Sequence, residues 1–198
     1  MINKIQQEIA VLAAQLIVEE GLEYGPAKRR AAKMLGLRAH VTLPGNHDVE
    51  DAVRDYIAVF CADTQPAELR VLRMLALSWM ERLAIFRPHL GGAVWRGTAT
   101  RRSDIYLQLF CDDCKSAEMA LIDRKIRYEV SRVAGFRGEA VDALSIRSPC
   151  PQLQEEIGVH LMIYDFDDVR GALKPDAYGC VPRGDKQAVL RLLAEALS

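Results

Sequence analysis

The residues best suited to chemistry lie in one run, GAVWRGTATRRSDIYL, from Gly92 to Leu107. Two glycines and three arginines precede the pair Ser103-Asp104, after which side chains alternate as in a strand with two unlike faces. The three arginines are Arg96, Arg101 and Arg102. Guanidinium groups bind phosphate through paired hydrogen bonds, so these are the predicted contacts for a nucleotide or polyanion. Simple solvation at the surface is the competing interpretation.

This run resembles the signature of the nucleotidyltransferase superfamily, the fold shared by polymerase-beta-like enzymes, kanamycin nucleotidyltransferase and the minimal antitoxin-type members. That signature has Gly-Ser, a second glycine, and then Ser-Asp-apolar-Asp on a strand. The positions that match it with the same spacing are Gly92, Gly97, Ser103, Asp104, Ile105 and Leu107. The resemblance covers approximately residues 89–165 and leaves the first 88 residues outside it.

The resemblance implies a specific chemistry. In the family, a Gly-Ser turn lets backbone N–H groups approach a triphosphate closely. Two aspartates at i and i+2 of a strand share one face and, with a third carboxylate, hold two Mg²⁺ ions that activate the attacking hydroxyl. Asp104 is then the catalytic and metal-binding candidate, with Mg²⁺ as the cofactor. The implied nucleotide- or phosphate-binding residues are Gly92, Arg96, Gly97, Thr98, Arg101, Arg102 and Ser103.

Two positions depart from the signature. Ala93 stands where the first serine is expected, and Tyr106 stands where the second aspartate is expected. A neutral phenol does not replace a carboxylate as a hard Mg²⁺ ligand near neutral pH. The candidates to share a metal with Asp104 are therefore Asp142 and His160, on later predicted strands. A cap or an ion pair at the start of the strand is the alternative role for Asp104.

The whole chain also resembles an uncharacterised group of proteobacterial proteins, some of them labelled Mur-type amide ligases. A Mur ligase needs a phosphate loop with Gly-Lys-Ser/Thr after a strand, and this sequence contains no such tripeptide. Its 198 residues are also too few for the usual three domains of that enzyme. The residues therefore do not support the label.

Cysteines and histidines give weaker patterns. Cys111 and Cys114 form a single CxxC, which could complete a four-thiolate zinc site with Cys150 and Cys180. A redox pair at a helix start and a set of reduced, partly buried thiols are the alternatives. None of the four histidines has a neighbour at metal-ligand spacing, and His160 is either a satisfied polar group on a strand or a cleft residue.

The elements that position these residues change character near residue 88. Before it, apolar residues recur at helical spacing and predict four helices, with Asp48 as the N-cap of the third. After it, strands are predicted at 105–110, 126–133, 140–146 and 157–164, with a closing helix capped by Asp185. The expected fold class is α+β: an N-terminal helical bundle at 1–88 and a nucleotidyltransferase-like mixed β-sheet flanked by helices at 89–198.

The composition of the chain disfavours several classes of protein. Half the residues are hydrophobic and 27% are charged, which is typical of a folded protein. A formal net charge of -1 disfavours a globally basic nucleic-acid binder. No stretch approaches the ~20 apolar residues that span a bilayer, and the N-terminus lacks a signal-peptide pattern. We therefore expect a cytoplasmic protein with no membrane partner, in which an odd number of cysteines stays reduced.

One local basic run remains, at Lys28, Arg29, Arg30, Lys33 and Arg38. It resembles part of a helix-turn-helix unit, but a solvated helix face is the favoured interpretation over nucleic-acid contact.

The sequence as a whole supports three functional hypotheses, which leave open whether the chain is an enzyme. It is a degenerate nucleotidyltransferase-like protein that binds a nucleotide, polyanion or protein partner; or an active but altered nucleotidyltransferase that uses Asp104; or a nucleic-acid- or partner-binding module that works through its N-terminal helices.

Overall fold

The computed structural model describes residues 3–38, 40–136, 138–176 and 178–196. Within these ranges the chain forms eight α-helices and one six-stranded mixed sheet, which confirms the α+β class. No helix in the described ranges is long and apolar enough to cross a membrane. The helices are α1 Lys4–Glu20, α2 Tyr24–Met34, α3 Asn46–Phe60, α4 Gln65–Arg82, α5 Gly92–Arg96, α6 Cys114–Asp123, α7 Val169–Ala172 and α8 Lys186–Glu195. The strands are β1 His89–Gly91, β2 Ile105–Cys111, β3 Glu129–Ala134, β4 Ala140–Cys150, β5 Glu155–Asp165 and β6 Arg183–Gly184.

The chain divides into two compact units. The first contains the residues up to Ala67 together with Thr98–Arg102, and the second contains Glu68–Gly97 together with the residues from Ser103 onward. Most of α4 thus belongs to the unit that contains the sheet. Helical periodicity places α4 after the first three helices but does not indicate which neighbour it packs against, so the predicted boundary at residue 88 differs from this division.

In the first unit, α1 packs against both α2 and α3. Fully buried alanines line much of the contact, so the helix backbones can approach closely; they include Ala13, Ala14, Ala27 and Ala31. The start of α3 differs from the prediction. Gly45 is the N-cap, and Asp48 lies inside the first turn, where its carboxylate accepts a hydrogen bond from Gly45 N–H at 2.9 Å.

In the second unit, the strand order is β3-β4-β5-β2-β1-β6. The pair β2 and β5 is parallel, and every other neighbouring pair is antiparallel. A parallel pair needs a long crossover, which here consists of α6, β3 and β4. The predicted N-cap of the last helix is confirmed, because the Asp185 carboxylate accepts from Ala188 N–H at 2.8 Å.

The sheet has one continuous apolar face, whereas the opposite face carries a smaller apolar cluster that includes Phe110 and Tyr164 beside a polar row. Registered partners share a face, so the buried side chains of β2, β4 and β5 form a continuous apolar layer. Its members are Ile105, Leu107, Leu109, Leu144, Ile146, Val159, Leu161 and Ile163. The intervening positions place Tyr106, His160, Ser145 and Glu129 side by side in one row on the opposite face.

The apolar face is covered by helices. The side chain of α4 Trp79 is buried, and its Nε1–H donates to the Ser148 hydroxyl of β4 at 3.0 Å. Leu72, Met80 and Leu83 of the same helix are also buried, and α6 contacts β2 and β5. The polar row lies on the opposite face, where α7 packs against the cluster that includes Phe110 and Tyr164.

The buried Trp79–Ser148 hydrogen bond gives a stability prediction. Replacing one partner leaves the other unsatisfied inside the core, so Trp79→Phe and Ser148→Ala should each lower the free energy of unfolding by about 1–3 kcal/mol. The double variant should lose less than the sum by about 0.5 kcal/mol or more, because only one bond is lost. Urea unfolding of the four proteins measures these quantities, and strictly additive losses would contradict the bond.

Candidate functional site

The candidate site is built on the carboxylate of Asp104, the residue immediately before β2. Its Oδ1 accepts a hydrogen bond from the Gly158 backbone N–H of β5 at 3.1 Å. A β-carbon on Gly158 would lie 2.5 Å from the Asp104 carboxyl carbon, which is closer than real contacts allow. Glycine at 158 therefore lets the carboxylate lie directly against the β5 backbone.

His160 connects Asp104 to a serine on the next strand. Its Nε2 is 3.0 Å from Asp104 Oδ2, and its Nδ1 is 2.9 Å from Ser145 Oγ. An ionised carboxylate only accepts hydrogen bonds, so Nε2 carries a proton whether the ring is neutral or charged. In the neutral ring, Nδ1 has a lone pair, to which the Ser145 hydroxyl donates. The three side chains thus form one chain of hydrogen bonds from serine to aspartate.

The electrostatics favour an ionised Asp104. The hydrogen bond from His160 holds the pKa of Asp104 below its ordinary value, and this effect outweighs partial burial, which acts in the opposite direction. The hydrogen bond from Gly158 N–H and the positive charge of Arg147 act in the same direction as His160. Asp104 is therefore a charged acceptor at neutral pH.

Tyr106 orients the imidazole rather than acting as a ligand beside Asp104. It is the registered neighbour of His160 on β2, and the two rings stack with centroids 4.8 Å apart and planes inclined by 22°. The position at which the nucleotidyltransferase signature has its second aspartate thus supports the histidine from one side.

A cavity of about 1040 Å³ opens over these residues. Its walls carry both charge signs, with Arg127 and Arg147 as cations and Glu129 and Glu156 as anions. The lining residues are Asp104, Ile126, Arg127, Tyr128, Glu129, Ser145, Ile146, Arg147, Glu156, Gly158 and His160. The side chains of His160 and Asp104 are 24% and 39% exposed, so both are accessible from the cavity.

The predicted phosphate-binding residues are divided between the two units. The Gly92–Arg96 segment forms α5, and Gly97 ends it with φ 83°. Thr98, Arg101 and Arg102 belong to the first unit, whereas Ser103 belongs to the second with Asp104. Arg96, Arg101 and Arg102 are exposed, and Thr98 is buried.

Of the two candidates to share a metal with Asp104, only His160 is adjacent to it. Asp142 lies on the other face of β4, where it pairs with Arg132 at 3.2 Å and lines a different cavity. Among the described residues, no group of three or more His, Cys, Asp or Glu side chains is arranged to hold a metal ion.

The cysteines of the predicted thiolate site lie on different elements. Cys111 ends β2, Cys150 ends β4, and Cys180 is an exposed residue before β6. The side chain of Cys114, the second cysteine of the CxxC, lies outside the part that the structure describes.

Two residues of the basic run, Lys28 and Arg30, have partners within the first unit. Lys28 Nζ donates to the Pro44 carbonyl at 3.1 Å and to Asn46 Oδ1 at 2.8 Å. Arg30 forms a two-point ion pair with Glu20, in which Nη2 lies 3.0 Å from Oε1. These contacts favour a solvated helix face with locally balanced charge over a surface that binds the phosphates of nucleic acid.

Sequence reasoning missed Ser145, Gly158 and Arg147. Each becomes significant only through the register of β4 and β5, which places Ser145 opposite His160 and Arg147 opposite Gly158. The available signal was weak: Ser145 and His160 both occupy non-apolar positions in otherwise alternating strands.

No protein-family model, curated protein or solved structure matches this chain.

The Asp104–His160 hydrogen bond gives a prediction for the aspartate. Carboxyl-carbon NMR should show Asp104 titrating with a pKa below its ordinary value of 3.8. In His160→Ala the pKa of Asp104 should rise, because the largest cause of its lowering is removed. An unchanged midpoint in that variant would show that the bond does not control this carboxylate.

The same pair should make stability depend on pH. A lowered folded-state pKa contributes stability that is present above the unfolded pKa and is lost as the pH falls through the folded value. The difference in free energy of unfolding between the wild type and Asp104→Asn should therefore be larger at about pH 6 than at about pH 3.

Proposed function

We propose that the second unit is a nucleotidyltransferase-like domain, preceded by an N-terminal helical bundle, that binds an anionic ligand of the nucleotide class without two-metal nucleotidyl transfer. One observation carries the proposal. Both oxygens of Asp104 already accept hydrogen bonds, from Gly158 N–H and from His160, beneath an open cavity. The residue that the fold family uses as a metal ligand is used here to organise the wall of a binding site.

The donor set around Asp104 does not fit a two-metal centre. Mg²⁺ prefers an octahedral shell of oxygen ligands with carboxylates among them. Here the neighbours of Asp104 are an imidazole and a backbone N–H, and a phenol occupies the position of the second carboxylate. We therefore derive no metal-dependent step, and we expect ligand binding that does not require Mg²⁺.

The mixed charge of the cavity supports a nucleotide over a simple anion. Arg127 and Arg147 provide guanidinium groups suited to phosphate. Glu129 and Glu156 provide acceptors suited to the hydroxyl and amino donors of a sugar or a base. A nucleotide presents both kinds of group in one molecule, whereas inorganic phosphate presents only one.

This proposal predicts the effect of one arginine. Calorimetry with ATP, GTP, CTP and UTP, with EDTA present, should detect binding of at least one of them to the wild type. Arg147→Gln should weaken that binding by about tenfold or more, because it removes a charge-assisted hydrogen bond of roughly 1.5–3 kcal/mol. Arg132→Gln is the matched control and should bind as the wild type does, because Arg132 pairs with Asp142 on the other face of the sheet.

Other outcomes separate the alternatives. If none of the four nucleotides binds, the proposal is wrong. If binding needs Mg²⁺ and labelled nucleotide is incorporated in an Asp104-dependent reaction, the chain is the active but altered nucleotidyltransferase, with Asp104 and His160 acting together.

A second candidate function is partner binding by the N-terminal helices, which a groove between α1 and α3 favours. The groove has a volume of about 360 Å³ and an apolar floor that includes Ala10, Val11 and Ala52. Val59 and Phe60 beside it are 71% and 68% exposed, although both are apolar. Its acidic members are Asp48, Asp51 and Asp55.

The combination of an apolar floor and an acidic rim favours one kind of partner. A basic amphipathic helix would bury its apolar side in the groove and place its cations near the three aspartates. Nucleic acid is disfavoured at this surface, because aspartates repel phosphates.

The groove predicts selective peptide binding. Fluorescence anisotropy with a labelled amphipathic Leu/Lys helical peptide should show binding that weakens as salt is added, and the matching Leu/Glu peptide should not bind. Val59→Asn should weaken binding of the Leu/Lys peptide by about tenfold or more, because a polar amide would be desolvated against the apolar side of the peptide with no change in charge. Ile85→Asn is the control, since Ile85 is a similarly exposed apolar residue of the second unit. Equal binding by the Val59 variant would exclude the groove.

A further inference from the structure

The chain of hydrogen bonds from Ser145 to Asp104 has the order of groups found at an activated serine. A nucleophilic serine needs a base within hydrogen-bond distance, and the base needs a third group that fixes its tautomer. His160 Nδ1 lies 2.9 Å from Ser145 Oγ, and Asp104 holds Nε2 at 3.0 Å. Here Nδ1 faces the serine and Nε2 faces the aspartate, whereas the familiar serine proteases use the two nitrogens the other way round. A nucleophile, a base and an acid that orients the base are all present.

The surroundings fix this arrangement in place. The imidazole is held by hydrogen bonds at both nitrogens and by the Tyr106 ring that stacks on it. Asp104 is in turn fixed by Gly158 N–H. All three members line the cavity, so a substrate can reach the Ser145 hydroxyl.

We propose that Ser145 is the nucleophile of a hydrolytic reaction on carboxylic esters or thioesters that carry an anionic group. Ser145 Oγ attacks the carbonyl carbon while its proton passes to His160 Nδ1. The carbon–oxygen or carbon–sulfur bond to the leaving group then breaks, and the leaving group takes the proton from His160. Water, with its proton accepted by the same nitrogen, hydrolyses the acyl-serine and restores the hydroxyl. Asp104 remains ionised throughout and stabilises the transient imidazolium.

Arg147 defines the substrate class. It lies two residues beyond Ser145 on β4, on the same face of the sheet and within the same cavity. In the proposed reaction its guanidinium binds the anionic group of the acyl part. The proposal rests on the binding function above only in that both use this cavity.

The test is covalent labelling of the intact chain by a fluorophosphonate probe, followed by mass-spectrometric mapping. We expect one modified residue, Ser145, in the wild type. Ser145→Ala should not be labelled, and His160→Gln should be labelled on the order of 100-fold more slowly, because the general base is absent. Ser131→Ala is the matched control, since Ser131 is an exposed serine on the neighbouring strand β3 and should not affect labelling.

A kinetic measurement tests the substrate class. The wild type should hydrolyse p-nitrophenyl hemisuccinate with a higher kcat/KM than p-nitrophenyl acetate. Arg147→Gln should lower that ratio by about tenfold or more, since one charge-assisted contact corresponds to that factor. Circular dichroism and thermal unfolding of each variant establish that the fold is retained.

The outcomes are distinct for the two proposals. No labelling of Ser145, or a labelling rate that is unchanged in His160→Gln, overturns the nucleophile even if a nucleotide binds. Labelling of Ser145 that depends on His160 supports it even if no nucleotide binds, in which case the proposed ligand class is wrong and the nucleophile stands.

Discussion

The charge on Asp104 is the constraint on which the polar face of the sheet depends. A half-buried carboxylate is stable only if hydrogen bonds replace the water that it has lost, and here they come from Gly158 N–H and from His160. Because His160 also contacts Ser145, a single negative charge connects the start of β2 with β5 and β4. Tyr106 stacks on the histidine that binds this carboxylate, and the cavity opens above both residues.

The two faces of the sheet serve different purposes because side chains alternate along each strand. Apolar residues of β2, β4 and β5 form a buried layer on one side of the sheet. The opposite side carries a smaller apolar cluster that includes Phe110 and Tyr164, and the polar row lies beside this cluster. The polar side chains of the site are therefore held in place although they are not part of the hydrophobic interior, because the strands that carry them pack into the core through their other side.

The sequence predicted local features well and long-range ones poorly. Alternation correctly located β2 and β5, and Asp185 correctly identified the start of α8. Asp48 was assigned as a cap one turn too late, because glycine at 45 can also begin a helix. Asp104 and His160 were both candidates, but their contact and the addition of Ser145 depend on strand register, which no local pattern encodes.

The close approach of Asp104 to Gly158 couples two positions that are 54 residues apart in the chain. A β-carbon at 158 would occupy the place of the carboxyl group, so Asp104 would have to turn away and would lose its hydrogen bonds to Gly158 N–H and His160. The placement of the acid beside the imidazole is therefore set as much by the missing side chain at 158 as by Asp104 itself.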